Sequence, residues 1–442
     1  FLLVDRRRLY DAIAAAEMTD VGEKAGFLAG GSQKPVQFVQ VSISPDDPQS
    51  LVSAYSDSTN REFVFAAMKK FVLHSRREWM MLGVLAFVAL VGIPLLNWLP
   101  AADSMFRLPD YLVPLFGKFA CYAMVALAID LIWGYAGILS LGHGVFFALG
   151  GYAMGMHLMR TMAGEGVYRS TLPDFMVFLD WKEYPWYWSF TENFWYAMLL
   201  VVLVPGVLAF VFGYFAFRSR IKGVYFSIIT QALTFAAMLL FFRNDMGFGG
   251  NNGFTDFKRI LGYRIAEPAT RATLFAITGA MLVGAFMLCR YIVTSKFGRV
   301  LTAIRDAESR VMFSGYNPLW YKLGAWTFSA VLCGIAGALY VPQVGIINPS
   351  EMSPANSIEI AIWAAVGGRG TLIGAILGAG LVNGLKSWFT VAFPEYWLYA
   401  LGALFIVVTL YLPNGIVGLL RRRTRIASKH APASLAPQSS RA

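Results

Sequence analysis

Apolar residues occur in long runs, and these runs set the first expectation. They fall near 78–99, 111–133, 138–160, 194–217, 223–242, 270–293, 323–346, 357–385 and 389–413. Most approach the roughly 20 residues needed to cross about 30 Å of hydrocarbon. None alternates with the period of two that barrel strands show. The pattern predicts an all-α fold, a polytopic membrane protein.

Charges at the ends of the runs predict orientation, because Lys and Arg collect in cytoplasmic loops. Lys69, Lys70, Arg76 and Arg77 precede the first run. Arg218, Arg220 and Lys222 follow the fourth, and Lys296, Arg299, Arg305, Arg310 and Lys322 fill the loop after the sixth. The loop from 161 to 193 is net acidic (Glu165, Asp174, Asp180, Glu183, Glu192) and falls outside. Nine single crossings would then strand the tail Arg421, Arg422, Arg423 and Arg425 outside. The run at 357–385 offers the repair, since "GGRGT" (Gly367 to Thr371) interrupts it. A short piece before Gly367 and a longer one after Gly370 would form a hairpin that returns to its own side. About eight full crossings plus this re-entrant hairpin leave both termini cytoplasmic. The expected organisation is a polar extension over 1–73, a permease domain over 74–420 with a cytoplasmic loop at 295–322, and a basic tail over 421–442.

Small residues then predict close packing, because in lipid helices associate where backbones can approach. Gly144, Gly151 and Gly155 lie along one side of the third run with Ala148. Ala330, Gly334 and Ala338 repeat the spacing in the seventh, and Gly370, Gly374 and Gly378 in the eighth.

Polar groups inside the runs are the candidates for function. A charge at the bilayer centre costs about 2.5–3.5 kcal/mol on insertion scales. Lys118 and Asp130 share the second run but sit about 18 Å apart along it, so each is expected to reach an interface separately. Arg369 stands in the glycine break, where it could cap carbonyls, meet an anion or lie at the surface. His143, with Ser140 one turn earlier, is expected to pack or line a pathway rather than relay protons, since no carboxylate partner stands nearby in sequence. Ser227, Thr230, Gln231 and Thr234 share one helix face. Such a stripe either glues helices or wets a path for an uncharged, hydrogen-bonding solute. With Asn251 and Asn252 of the loop "NDMGFGGNNGFTDF", these residues form the candidate path.

Composition narrows the class. The chain is 57% hydrophobic and 14% charged, too little charge to cover a soluble protein of 442 residues. Its net charge of +11 follows from cytoplasmic loops rather than from a nucleic-acid surface. Cys121, Cys289 and Cys333 lie in separate apolar runs without metal-ligand spacing, so no metal is expected. No G-x-x-x-x-G-K-[ST] occurs, so ATP hydrolysis and a cofactor are not expected in this chain. The first residue is Phe1, and the polar stretch after it, with a helix-like "RRRLYDAIAAAE" and a strand-like "VQFVQVSI", reads as a loosely ordered cytosolic extension or an upstream artefact.

The loop from Ser295 to Lys322 carries an amphipathic segment. Val300, Leu301, Ile304, Ala307 and Val311 make an apolar face, and Asn317-Pro318 ends it. Arg305, Asp306, Glu308 and Arg310 give the remainder mixed charge, which favours docking into a partner over lying on lipid.

"GYAGILSLGHGVFFALGGYAMGMHLMR", "MGFGGNNGFTDF", "AIRDAESRVMFSGYNPLWYKL", "AGALYVPQVGIINP" and "AVGGRGTLIGAILGA" occur in that order. Together they resemble the branched-chain amino acid ABC permease family, and within it the urea-transporter branch, over about residues 78–420. The resemblance implies a subunit of an ATP-driven importer in the bacterial cytoplasmic membrane. It implies a second homologous permease, two cytosolic ATPases that bind the ATP, and a periplasmic binding protein. It also implies that the loop around Arg305, Asp306, Glu308 and Gly315 couples to the ATPases. Urea or a related small amide is the expected cargo, with a branched-chain amino acid as the alternative. A self-sufficient channel or secondary transporter is the rival class, and it would have no need of the 295–322 loop.

Overall fold

The structure, a computed structural model, describes residues 109–396, together with a few residues on either side including 415–418. The N-terminal stretch, the run at 78–99, most of that at 389–413 and the basic tail lie outside the described residues.

Each interior run becomes a helix close to its expected limits. They are α1 (Leu112–Asp130), α2 (His143–Thr161), α3 (Phe194–Arg218), α4 (Val224–Phe241) and α5 (Pro268–Thr294). The series continues with α6 (Lys296–Phe313) in the basic loop, then α7 (Pro318–Val344), α8 (Pro354–Gly367) and α9 (Leu372–Ala392). Local chemistry sets several starts. The Asn193 side chain accepts from the N–H groups of Trp195 and Tyr196, and the Asn317 side chain from that of Leu319, with Pro318 opening α7. Among the described residues six helices are long and apolar enough to cross a membrane: α1 with its π-helical extension, α3, α4, α5, α7 and α9.

Helix α2 is absent from that set, and its surroundings explain why. It is buried in protein along nearly its whole length, so its side chains need not match lipid. Helix α7 packs on α1, α2 and α3. Glycines permit the approach: a Cβ on Gly337 would overlap the Phe147 carbonyl, and one on Gly334 would strike Pro205 and the Val201 carbonyl of α3. Gly374 and Gly378 bring α9 against the backbone of α8 at Gly367 and Trp363. The two pieces on either side of the glycine break therefore pack antiparallel, α8 on α9, around the turn 368–371. Gly370 is the exception to the expected packing face. It lies in that turn with φ +74°, a left-handed conformation that suits glycine.

The remaining small residues of α2 meet something other than a helix. Gly151 and Gly155 lie against Ile347, and Gly144 against the Glu351 carbonyl and Ser357. After α7 the chain thus leaves helical form, runs back beside α2 over about 16 Å, and starts α8 level with Gly144. Strand β1 (Phe254–Thr255), from the loop after α4, pairs antiparallel with β4 (Ile346–Ile347) on this returning segment. A separate two-residue hairpin joins β2 (Arg259–Ile260) to β3 (Tyr263–Arg264).

Candidate functional site

The polar stripe of α4 is a clasp in this structure. Ser227 Oγ donates to the Leu139 carbonyl (2.8 Å), and the Leu141 N–H donates to Thr230 Oγ1 (3.1 Å). Thr230 and Thr234 donate back to the Ser227 and Thr230 carbonyls. Three of the four residues are buried and Gln231 is half-buried. The hydroxyls hold the non-helical stretch before α2 against α4.

His143 belongs to the same junction. Its Nε2 lies 2.9 Å from Ser329 Oγ and its Nδ1 3.2 Å from Ser140 Oγ. Ser329 donates to the Ala128 carbonyl (2.6 Å), so it accepts from Nε2–H, and Ser140 donates to Nδ1. The neutral ring joins α2, α7 and α1. Both nitrogens are occupied by hydroxyls, so the geometry is that of a packing group.

Asp130 departs from expectation. It does not reach an interface: the residue is fully buried and its Oδ1 accepts the Gly370 N–H (2.7 Å). The failure has a physical cause. Helix α1 continues as a π-helix over Leu131–Tyr135, and a side chain on Gly134 would strike both Asp130 Oδ1 and the Gly370 nitrogen. The small residue lets the α8–α9 turn come close enough to bond Oδ1, while Oδ2 stays buried without a partner. Arg369, in the same turn, is exposed, with its guanidinium 5.3 Å over the Trp133 ring. Lys118 is half-buried, 5.6 Å over the Tyr122 ring.

Helix α6 is fastened to this region. Arg305 Nη1 donates to the Gly134 carbonyl (2.6 Å), and Arg305 Nε pairs with Asp306 (2.8 Å). Glu308 accepts from Lys222 of the α3–α4 loop and Lys322 of α7, each at 2.6 Å. Burial alone would raise the Glu308 carboxyl, but these two hydrogen-bonded ammonium groups outweigh it and hold it below the usual carboxylate range. Leu301, Ile304 and Val311 bury the apolar face against the protein's own helices. A kink at Ala307 divides the helix. Asp306, Arg310, Ser314 and Tyr316 line an open groove on the outer side. Gly315, with φ +83°, ends the helix and has open space around it.

Asn251 and Asn252 are exposed at the opposite end of the bundle. Their neighbour Gly253 packs on Ile347 and Asn348, so this loop covers the returning segment from outside.

Sequence reasoning missed the cluster that the returning segment creates. A cavity of about 30 Å³ lies between Tyr122, Val125 and Phe147 on one side and Glu351, Asn356, Glu359, Ile360, Trp363 and Lys386 on the other. Lys386 Nζ bonds both oxygens of Glu359 (3.0 and 2.8 Å). Tyr340 Oη donates to Glu351 Oε1 (3.1 Å). The Tyr122 ring packs on Trp363 and Tyr340, at 4.8 and 5.7 Å between centroids. Ser357 Oγ and Trp363 Nε1 are buried without a hydrogen-bond partner. Glu359 within an apolar piece was the available signal, since an ionisable group there marks a functional candidate. Among the described residues no cluster of His, Cys, Asp or Glu is arranged to hold a metal ion.

Comparison with known proteins agrees with this architecture. The family model described as "Branched-chain amino acid transport system / permease component" matches residues 111–409. The chain is 24% identical over 334 residues to the high-affinity branched-chain amino acid transport system permease protein LivM of Salmonella typhimurium, covering 70% of this chain and 71% of the relative. It is 25% identical over 326 residues to a probable LivM of Methanocaldococcus jannaschii, covering 68% and 91%. A shorter match, 26% over 129 residues, is to the fructose import permease protein FrcC of Rhizobium meliloti, covering 27% and 35%. No solved structure matches the chain significantly.

Proposed function

Because the chain belongs to the family of branched-chain amino acid transport permease components, a multi-pass membrane permease of an ABC importer, we propose that it is one of two homologous permease subunits driven by separate ATPases. A binding protein outside would deliver the cargo. The observation that carries this reading is the mounting of α6. Arg305 ties it to the Gly134 carbonyl and Glu308 to Lys222 and Lys322, while the face with Asp306 and Arg310 stays open. A push on that face would reach the end of α1 and, through Asp130, the α8–α9 turn. A self-sufficient channel has no use for such a lever.

The proposed cargo is urea or a related small amide. It rests on the motif resemblance through "SLGHGVFFALGGYAMGM" and "FGGNNG". A branched-chain amino acid is the second reading, and the names of the relatives weigh in its favour over urea. Labelled urea and labelled leucine uptake, in bacteria with and without this gene, separates the two. Loss of urea uptake alone supports the first reading, and loss of leucine uptake alone replaces it with the second.

A further inference from the structure

The cavity beside α8 is built where a membrane protein has reason to place a ligand. Irregular backbone within a membrane protein is tolerated where it is buried in protein or lines a cavity, and in the segment 345–353, where a two-residue strand and a single 3-10 turn replace α-helix, Glu351 lines this one. Glu351, on that segment, and Asn356, in the first turn of α8, form part of the wall. Asn356, Glu359, Ile360 and Trp363 follow helical spacing, so one flank of the half-helix α8 faces the cavity. A further observation points to an occupant. Trp363, which lines the cavity, is 4% exposed, yet its Nε1 has no partner. Buried polar groups are ordinarily satisfied, and an unmet one costs about 1–3 kcal/mol.

We infer that this cavity is a binding station for a small planar amide on its way through the protein. The inference rests on the importer reading and on the amide as its cargo. Size is the first argument. A single water needs roughly 10–15 Å³ on this measure, so 30 Å³ takes a molecule of about urea's size. Charge is the second. Lys386 is already bonded to both oxygens of Glu359, at 2.8–3.0 Å, so it is not spare for the carboxylate of a zwitterion. A neutral amide needs only hydrogen bonds. Its carbonyl accepts from Trp363 Nε1–H, and its N–H groups donate to Glu351 or Glu359. A site built to bond such groups rejects molecules that leave them unpaired.

The test uses the assembled transporter in lipid, with its partner subunits. Solid-state NMR with 13C-urea and 15N-labelled tryptophan should show a urea-to-indole contact that disappears in Trp363→Phe. ATP-driven uptake of labelled urea should fall about tenfold in Trp363→Phe and in Asn356→Leu. If Trp363→Phe fails to assemble, the wild-type NMR contact and the Asn356→Leu rate decide the matter. Urea uptake with no indole contact, or with an unchanged Asn356→Leu rate, overturns the station and leaves the cargo standing. Leucine uptake with no urea uptake overturns the cargo itself.

Discussion

A carboxylate inside a helix bundle must find donors there, and Asp130 finds the Gly370 N–H. Replacing it by Leu strands that N–H, so Asp130→Leu is expected to destabilise the protein by about 1–3 kcal/mol. Asp130→Asn keeps an acceptor and should lose less. Thermal unfolding in detergent ranks them, and equal midpoints would refute the assigned bond. Sequence spacing placed Asp130 near a helix end, which is correct. It gave no sign of Gly370, because the two are brought together only by the tight turn of α8 on α9. Glu308 offers a pH test outside the membrane helices. Its folded pKa is depressed, so its contribution to stability is present above the unfolded value of about 4.3 and lost as pH falls through the folded value. The hold on α6 should therefore persist from neutral pH to about 5 and weaken below, as read by proteolysis of the 295–322 loop in wild type against Glu308→Gln. Identical pH profiles in the two would remove Glu308 from that role.

Helix boundaries were largely legible, because apolar runs and their caps report directly on length. The break at Gly367–Thr371 was legible too, since glycine interrupts a run visibly. What the runs could not report is direction after an interruption. "GIINPSEMSP" (Gly345 to Pro354) marks a departure from helix, and only packing against Gly144, Gly151 and Gly155 turns it back along α2. That return creates the cavity, so its charged walls were equally hidden. The packing itself is testable. Gly337→Leu would drive a side chain into the Phe147 carbonyl and Gly374→Leu one into Gly367. Each is expected to lower the yield of folded protein severalfold, measured as monodisperse material in gel filtration, and a wild-type yield from both would refute the close approach. Arg305→Ala should behave differently. It frees α6 from the Gly134 carbonyl without opening the core, so uptake should fall at least fivefold while ATP hydrolysis by the assembled complex continues. Parallel loss of both would place Arg305 in assembly instead.

On the scale of the whole molecule, the described helices form a bundle around α7 with one face of α6 outside it. Buried polar groups form clasps, such as His143 with Ser140 and Ser329, and others line the cavity beside α8. The importer proposed above is driven by ATPases on separate chains. Proteoliposomes test that most directly, with labelled urea outside and the chain reconstituted alone or with its partner permease, ATPases and binding protein. Flux only in the full assembly, and only with ATP inside, is the predicted result. Urea entering vesicles that hold this chain alone would contradict it.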